Sequence, residues 1–293
     1  MRFIAFYFVL LFNSFDDGAE FVRYIPQPMN LFKGIFNTSL GRKYLMAITG
    51  AGLFGFIIAH LLGNLLVFAG PAALNEYAKK LHDLGPLLWV ARLGLLSMAG
   101  LHIWSAIKLT TENREARKVP YEGAVEPVDQ HRCDDFVAKF AARTMIFSGL
   151  IIAAFAFYHL AHYTWKVPQI NGISGEFKGD FETYYVHETD DDNQTAFVSP
   201  LPDGEGAEGE NASDVYRMVV NGFKVPWVVG FYVVAIGLLC VHLSHGLSAM
   251  FQSLGLKNKN YGKWMDCGAP LVAALIFLGY ISIPVAVLAG FVK

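Results

Sequence analysis

Charged and apolar residues separate into long blocks along the chain. Residues 44–70 run for 27 positions without Asp, Glu, Lys or Arg. Residues 86–107 form a run of 22 with a single charge, Arg92. Three further runs carry none: 144–165 with 22 positions, 226–254 with 29 and 267–292 with 26. Each reaches the roughly 20 helical residues that cross about 30 Å of hydrocarbon. Backbone polar groups in such a run must be satisfied within the segment, so all five are predicted as helices. The expected fold is an all-α polytopic membrane protein with five transmembrane helices. Buried helices of a large soluble core are the alternative, disfavoured by five such runs in 293 residues.

The segments between the runs set the organisation. Residues 1–28 contain a short apolar stretch, 3–12, and no clear A-x-A cleavage site. That segment reads as a misassigned start before Met29 or as a short interfacial helix, leaving 29–293 as the membrane domain. The connection 166–225 holds 12 of the 25 acidic residues and a low-complexity run, 203–214, and is expected to be a solvated loop. Its Asn193 and Asn211 fit N-x-S/T without further weight. No internal repeat is evident. Basic residues fix the orientation. One side collects 13: Lys33, Arg42, Lys43, seven between Lys108 and Arg143, and Lys257, Lys259 and Lys263. The other collects three, Lys79, Lys80 and Lys293, once the long acidic loop is discounted. The N-terminus is therefore expected in the cytoplasm and the C-terminus outside, in a bacterial inner membrane.

Composition narrows the chemistry. Hydrophobic residues make up 54% and charged residues 16%, well below the ~25% of soluble domains. The net charge of −2 shows no basic excess, which excludes nucleic acid as a partner. Cys133, Cys240 and Cys267 are too few and too far apart for a disulfide framework, a CxxC zinc knuckle or a CxxCH covalent-haem site.

Histidine inside a membrane is costly and marks a functional hypothesis. His60, His102, His159 and His242 each lie 16 residues from a helix start, at Tyr44, Pro86, Arg143 and Pro226 respectively. At 1.5 Å per residue each is about 24 Å along its helix. Alternate helices run in opposite directions, so His60 and His159 should meet near the outer face and His102 and His242 near the inner face. The two layers are about 18 Å apart on the same arithmetic. Stacked pairs of neutral imidazoles suit two bis-histidine haems, non-covalent and hence b type, held in a four-helix bundle. A helix–helix hydrogen bond is the plainer use of a lone membrane histidine. Zinc or copper would need three or four converging ligands, where these four form only pairs. His162 and His245 lie one turn beyond His159 and His242, as alternative ligands or as neighbours of a propionate or quinone head group. Arg92 is expected to meet a haem propionate or to snorkel to the interface. Gly50, Gly52, Gly55 and Gly246 permit close approach of a helix or porphyrin. Pro284 should kink the fifth helix, which lacks histidine and reads as scaffold.

The residues around these histidines carry a family resemblance. SLGRKYLMAITG and IIAHLLGNLLVFAGPAALNEYA lead into and surround His60, and GLHIWSAIKL surrounds His102. SGLIIAAFAFYHLAHY contains His159 and VHLSHGLSAMFQSLGL contains His242. Together they resemble the dihaem cytochrome b subunit of succinate:quinone oxidoreductases, the succinate dehydrogenases and fumarate reductases. The resemblance runs from about residue 30 to the C-terminus and is weakest in the acidic loop.

That resemblance implies an anchor for a flavoprotein subunit carrying FAD and an iron–sulfur subunit, with the succinate site on the partner. It implies His60 and His159 as ligands of an outer haem and His102 and His242 as ligands of an inner one. It places menaquinone at the outer face, with Glu76, Asp83 and the adjacent His82 as candidates for proton exchange there. Some fumarate-reducing relatives carry a glutamate two residues before the fourth-helix ligand, where this chain has Cys240. The alternatives are a cytochrome b subunit of another respiratory enzyme, such as a hydrogenase or formate dehydrogenase, and a non-enzymatic haem or metal transporter.

Overall fold

The computed structural model describes residues 31–116, 135–165 and 215–293, with four short strands between 184 and 213. Residues 1–28, Cys133, Asn193 and Asn211 lie outside the described residues. In chain order come α1 (Leu31–Asn37), α2 (Ser39–Asn64) extended by a 3₁₀ turn (Leu65–Ala69), α3 (Pro71–His82), α4 (Pro86–Ala116) and α5 (Asp135–Tyr163). Then follow α6 (Val215–Phe223), α7 (Pro226–Ser253) and α8 (Gly262–Leu288). Five helices are long and apolar enough to cross a membrane, namely α2, α4, α5, α7 and α8. The chain is an all-α, multi-pass membrane protein.

α2, α4, α5 and α8 each extend beyond the basic-end limit of their apolar runs. Thr38 caps α2, its hydroxyl accepting from Gly41 N at 3.0 Å, so the helix begins at Ser39. Arg42, inside that first turn, is buried and pairs with Glu112 near the end of α4. The pair lets both helices continue past the hydrocarbon boundary. At the opposite end Gly70 turns the chain with φ 98°, a conformation that favours glycine, and Pro71 starts α3.

Within the acidic connection the described residues form two short antiparallel strand pairs. β1 (Tyr184–Tyr185) pairs antiparallel with β4 (Ala212–Ser213), and β2 (His187–Thr189) with β3 (Thr195–Phe197). Its last part is α6. Val215, Met218 and Phe223 face inward there with Val220, and nine residues are too short to register as a span. Asn75 of α3, buried, accepts from Tyr216 N at 2.9 Å and ties α3 to α6. These two short helices close one end of the bundle, called here the cap end. The other, the basic end, carries Arg42, Lys43, Lys108, Lys257, Lys259 and Lys263.

The long helices pack as two hairpins, α2 with α4 and α5 with α7, joined where α2 meets α7. α8 lies along α7. The buried cluster centres on α7, with Val228, Tyr232, Ile236 and Leu243, and reaches α8 at Ala273, Ile276 and Ile283. α4 is the opposite case: Leu87, Val90, Leu93, Leu96 and Ile107 are all exposed, as lipid-facing positions would be. α8 keeps Pro270 and Pro284 inside one continuous helix and is more than scaffold. Its Tyr280 hydroxyl donates to Ile57 O of α2 at 2.7 Å, one turn before His60. Cys240 is a buried free thiol.

Candidate functional site

Two histidine pairs face one another inside the bundle. At the cap end the rings of His60 (α2) and His159 (α5) lie 5.7 Å apart between centroids and nearly perpendicular, at 85°. Toward the basic end His102 (α4) and His242 (α7) are within electrostatic reach of each other. The pairing is the one that helix direction and residue counting predict. All four side chains are half-buried, and among the described residues no three His, Cys, Asp or Glu side chains converge as a metal site.

The basic-end pair is held by matching clamps. His102 Nδ1 lies 3.1 Å from Met46 O and 3.3 Å from Thr49 Oγ1. A carbonyl only accepts, so Nδ1 carries the proton and Nε2 keeps its lone pair. Thr49 spends its own hydrogen on Leu45 O at 2.7 Å and so is free to accept as well. On the other side His242 Nδ1 lies 3.1 Å from Ser148 Oγ, whose hydrogen goes to Met145 O at 3.1 Å. His102 is therefore a neutral-tautomer donor at Nδ1 with Nε2 available, the state a metal-ligating histidine needs, and the Ser148 hydroxyl can accept from His242 Nδ1 in the same way.

The same residues expose a repeat that the sequence alone did not make evident. Met46, Thr49, Gly50, Phe56, His60 and Leu61 recur as Met145, Ser148, Gly149, Phe155, His159 and Leu160. A Cβ on Gly50 would lie 3.2 Å from His102 Cε1, and one on Gly149 3.5 Å from His242 Cε1. Phe56 stacks on His60 at 5.3 Å, and Phe155 lies 6.0 Å from His159. Two hairpins of like design thus face each other. The repeat is masked in sequence by an apolar background and by unequal loops. Among the other glycines singled out for close approach, Gly52 packs on Met98, while Gly55 and Gly246 have nothing within 4 Å of a built Cβ.

The cap-end pair is built differently. His60 has no polar partner for its ring among the described residues and is bracketed by Phe56 and, at 6.4 Å, Tyr280. His159 Nδ1 lies 3.1 Å from Tyr232 Oη. The same hydroxyl lies 3.0 Å from Nδ1 of His162, which is fully buried. His162 stacks on Tyr163 at 4.0 Å, and its Nε2 is buried without a partner, as is Tyr163 Oη. Of the two histidines on α5, His159 is the one that faces His60. α6 seals the site through Gly222, where a Cβ would come 2.5 Å from Tyr163 Oη. Only glycine fits that approach.

Other candidates fall at the cap-end surface. His82 and Arg92 line an open cleft of about 560 Å³ with Gly85, Pro86, Leu88 and Trp89. Arg92 is exposed and lies over the Trp89 ring at 5.1 Å, a cation–π contact of the snorkelling kind. Glu76 pairs with Lys80 at 2.7 Å and Asp83 with Lys79 at 3.6 Å, all on or beside α3. His245 lies near His242 on the basic side. Thr49, Ser148, Tyr232 and Tyr280 are site residues that sequence reading missed. The recurring [TS]-G ten or eleven positions before a histidine was the available signal for the first two.

No protein family, curated protein or solved structure matches the chain.

Proposed function

We propose that the chain is the membrane-anchoring dihaem cytochrome b subunit of a succinate:quinone oxidoreductase. The observation that carries this reading is the facing pair His60 and His159 in one layer, with His102 and His242 in a second layer where each Nδ1 is held by the neighbouring helix and the His102 Nε2 keeps its lone pair. Imidazole nitrogens in opposed pairs are the donor set of a bis-histidine haem. His60 and His159 would hold one b haem and His102 and His242 the other. Bound there, the two groups supply one-electron carriers in series along the bundle.

The protein's own residues do the rest. Met46, Thr49 and Ser148 orient the basic-end ligands, and the Met46 carbonyl fixes the tautomer of His102. Gly50 and Gly149 keep the space beside those rings clear of side chains. Phe56 and Phe155 wall the cap-end ligands with apolar surface, which excludes water. Lys43, Lys108, Lys259 and Lys263 would form a docking face for the iron–sulfur and flavoprotein subunits, with the basic end in the cytoplasm, as the Lys/Arg bias also supports. At the cap end, the cleft of His82, Trp89 and Arg92 offers hydrogen-bond donors and an aromatic wall to a quinone head group. Glu76 and Asp83, exposed beside it, are the groups that exchange protons with water.

An absorbance difference spectrum of the mildly solubilised complex tests this, with succinate added first and dithionite second. Two b-type haems per chain, at least one reduced by succinate, is the expected result. Reduction by dithionite alone, with partner subunits present, moves the chain to another respiratory enzyme. Absence of haem refutes the reading of the four histidines.

A further inference from the structure

The cap-end pair contains a hydrogen-bonded chain that no ligand role explains: His159 Nδ1 to Tyr232 Oη at 3.1 Å, and Tyr232 Oη to His162 Nδ1 at 3.0 Å. Tyr232 and His162 are 5% and 0% exposed, so no bulk water competes for either. The hydroxyl has one hydrogen and two nitrogens to satisfy, so it donates to one imidazole and accepts from the other. Two polarities exist. If Tyr232 donates to His159, the His159 proton sits on Nε2, and that nitrogen has no lone pair to offer. If Tyr232 donates to His162, His159 carries its proton on Nδ1 and keeps a bare Nε2.

We propose that Tyr232, directed by the buried His162, is the positioning residue that sets the ligating tautomer of His159. The hydroxyl oxygen accepts the Nδ1–H of His159 and donates its own hydrogen to Nδ1 of His162. His162, with its proton then on Nε2, is an acceptor for Tyr232 and not a ligand. This rests on the reading of His159 as a haem ligand and deepens it. An N–H donated to an oxygen raises the basicity of the ligating imidazole, which favours oxidised iron. His60 has no such partner among the described residues, so Tyr232 tunes one ligand of one haem.

Tyr232→Phe keeps the ring that packs between Phe155, at 5.0 Å, and Phe223, also at 5.0 Å, and removes only the hydroxyl. The test is an optical redox titration, with low-temperature EPR of the oxidised haems, on the intact wild-type and variant proteins. The expected result is two haems retained, an upward shift in the midpoint potential of one, an altered low-spin signal for that same haem, and no change in the other. Both haems behaving as in wild type would overturn the proposal while leaving the dihaem reading in place. A wild-type protein without haem would overturn both. If Tyr232→Phe does not fold, His162→Leu serves: the same single haem should shift, by less, because Tyr232 still accepts from His159. No shift, or a shift confined to the other haem, overturns the proposal.

Discussion

The two histidine layers achieve similar ends by different means. At the basic end each imidazole is held by the helix that pairs with its own, His102 through a backbone carbonyl backed by a hydroxyl one turn away and His242 through a serine hydroxyl. A carbonyl cannot reverse its polarity, so the tautomer of His102 is settled by the backbone. At the cap end the two histidines differ: His159 answers to a tyrosine hydroxyl, which can donate or accept, and His60 meets only rings. The backbone clamp gives permanence, whereas the side-chain clamp leaves the site adjustable by single substitutions.

The sharpest break of the comparison removes ligands. His60→Ala or His159→Ala should each reduce haem from two per chain to one and abolish quinone reduction, leaving the basic-end haem reducible by succinate; pyridine haemochrome content and a quinone-reduction assay read this out. Retention of two haems by either variant would sink the assignment. Next comes the brace that supports the basic-end clamp. Glu112→Ala strands the buried Arg42 between α2 and α4, and should cost about 2 kcal/mol, below the ~3–5 kcal/mol of fully buried pairs because Glu112 is one-third exposed. Thermal unfolding followed by α-helical circular dichroism would show it, and an unchanged midpoint would mean the pair is dispensable.

A smaller contrast tests how alike the two clamps are. Gly50→Ala presses a methyl to 3.2 Å from His102, and should cost roughly 1 kcal/mol and perturb the basic-end haem spectrum. Gly149→Ala meets His242 at an ordinary 3.5 Å and should leave the spectrum alone. Equal effects would show that ring clearance does not distinguish the halves. The smallest change is expected of Thr49→Val. Met46 O still holds the Nδ1 proton, so the loss should stay under about 1 kcal/mol, with no shift in potential. A large shift would transfer the clamp from the carbonyl to the hydroxyl.

The five spans and the pairing of the four histidines were legible in the sequence because both follow from length, direction and rise per residue, which local backbone geometry dictates. What joins distant segments was not. Tyr232 reaches His159 across 73 positions and His162 across 70, and nothing local marks a tyrosine as a bridge. α3 and α6 escaped notice because each is short and gains its stability by packing on the bundle. Arg92 could be read two ways, and its place over Trp89 depended on how α4 is rotated about its axis. Whether Glu76 and Asp83 stand free was equally hidden, since their lysine partners at i+4 and i−4 matter only once α3 is known to be a helix.

The recurrence of one residue pattern in α2 and α5 has a consequence for symmetry. Each hairpin contributes one histidine to each layer, so neither hairpin completes a site and together they complete both. Partners of this kind are related by a two-fold axis running along the bundle between the paired rings, the isologous relation of a dimer. A two-helix peptide with one histidine near each end would therefore already encode the four histidine positions, though not the Tyr232 bridge, provided that it met a second copy of itself.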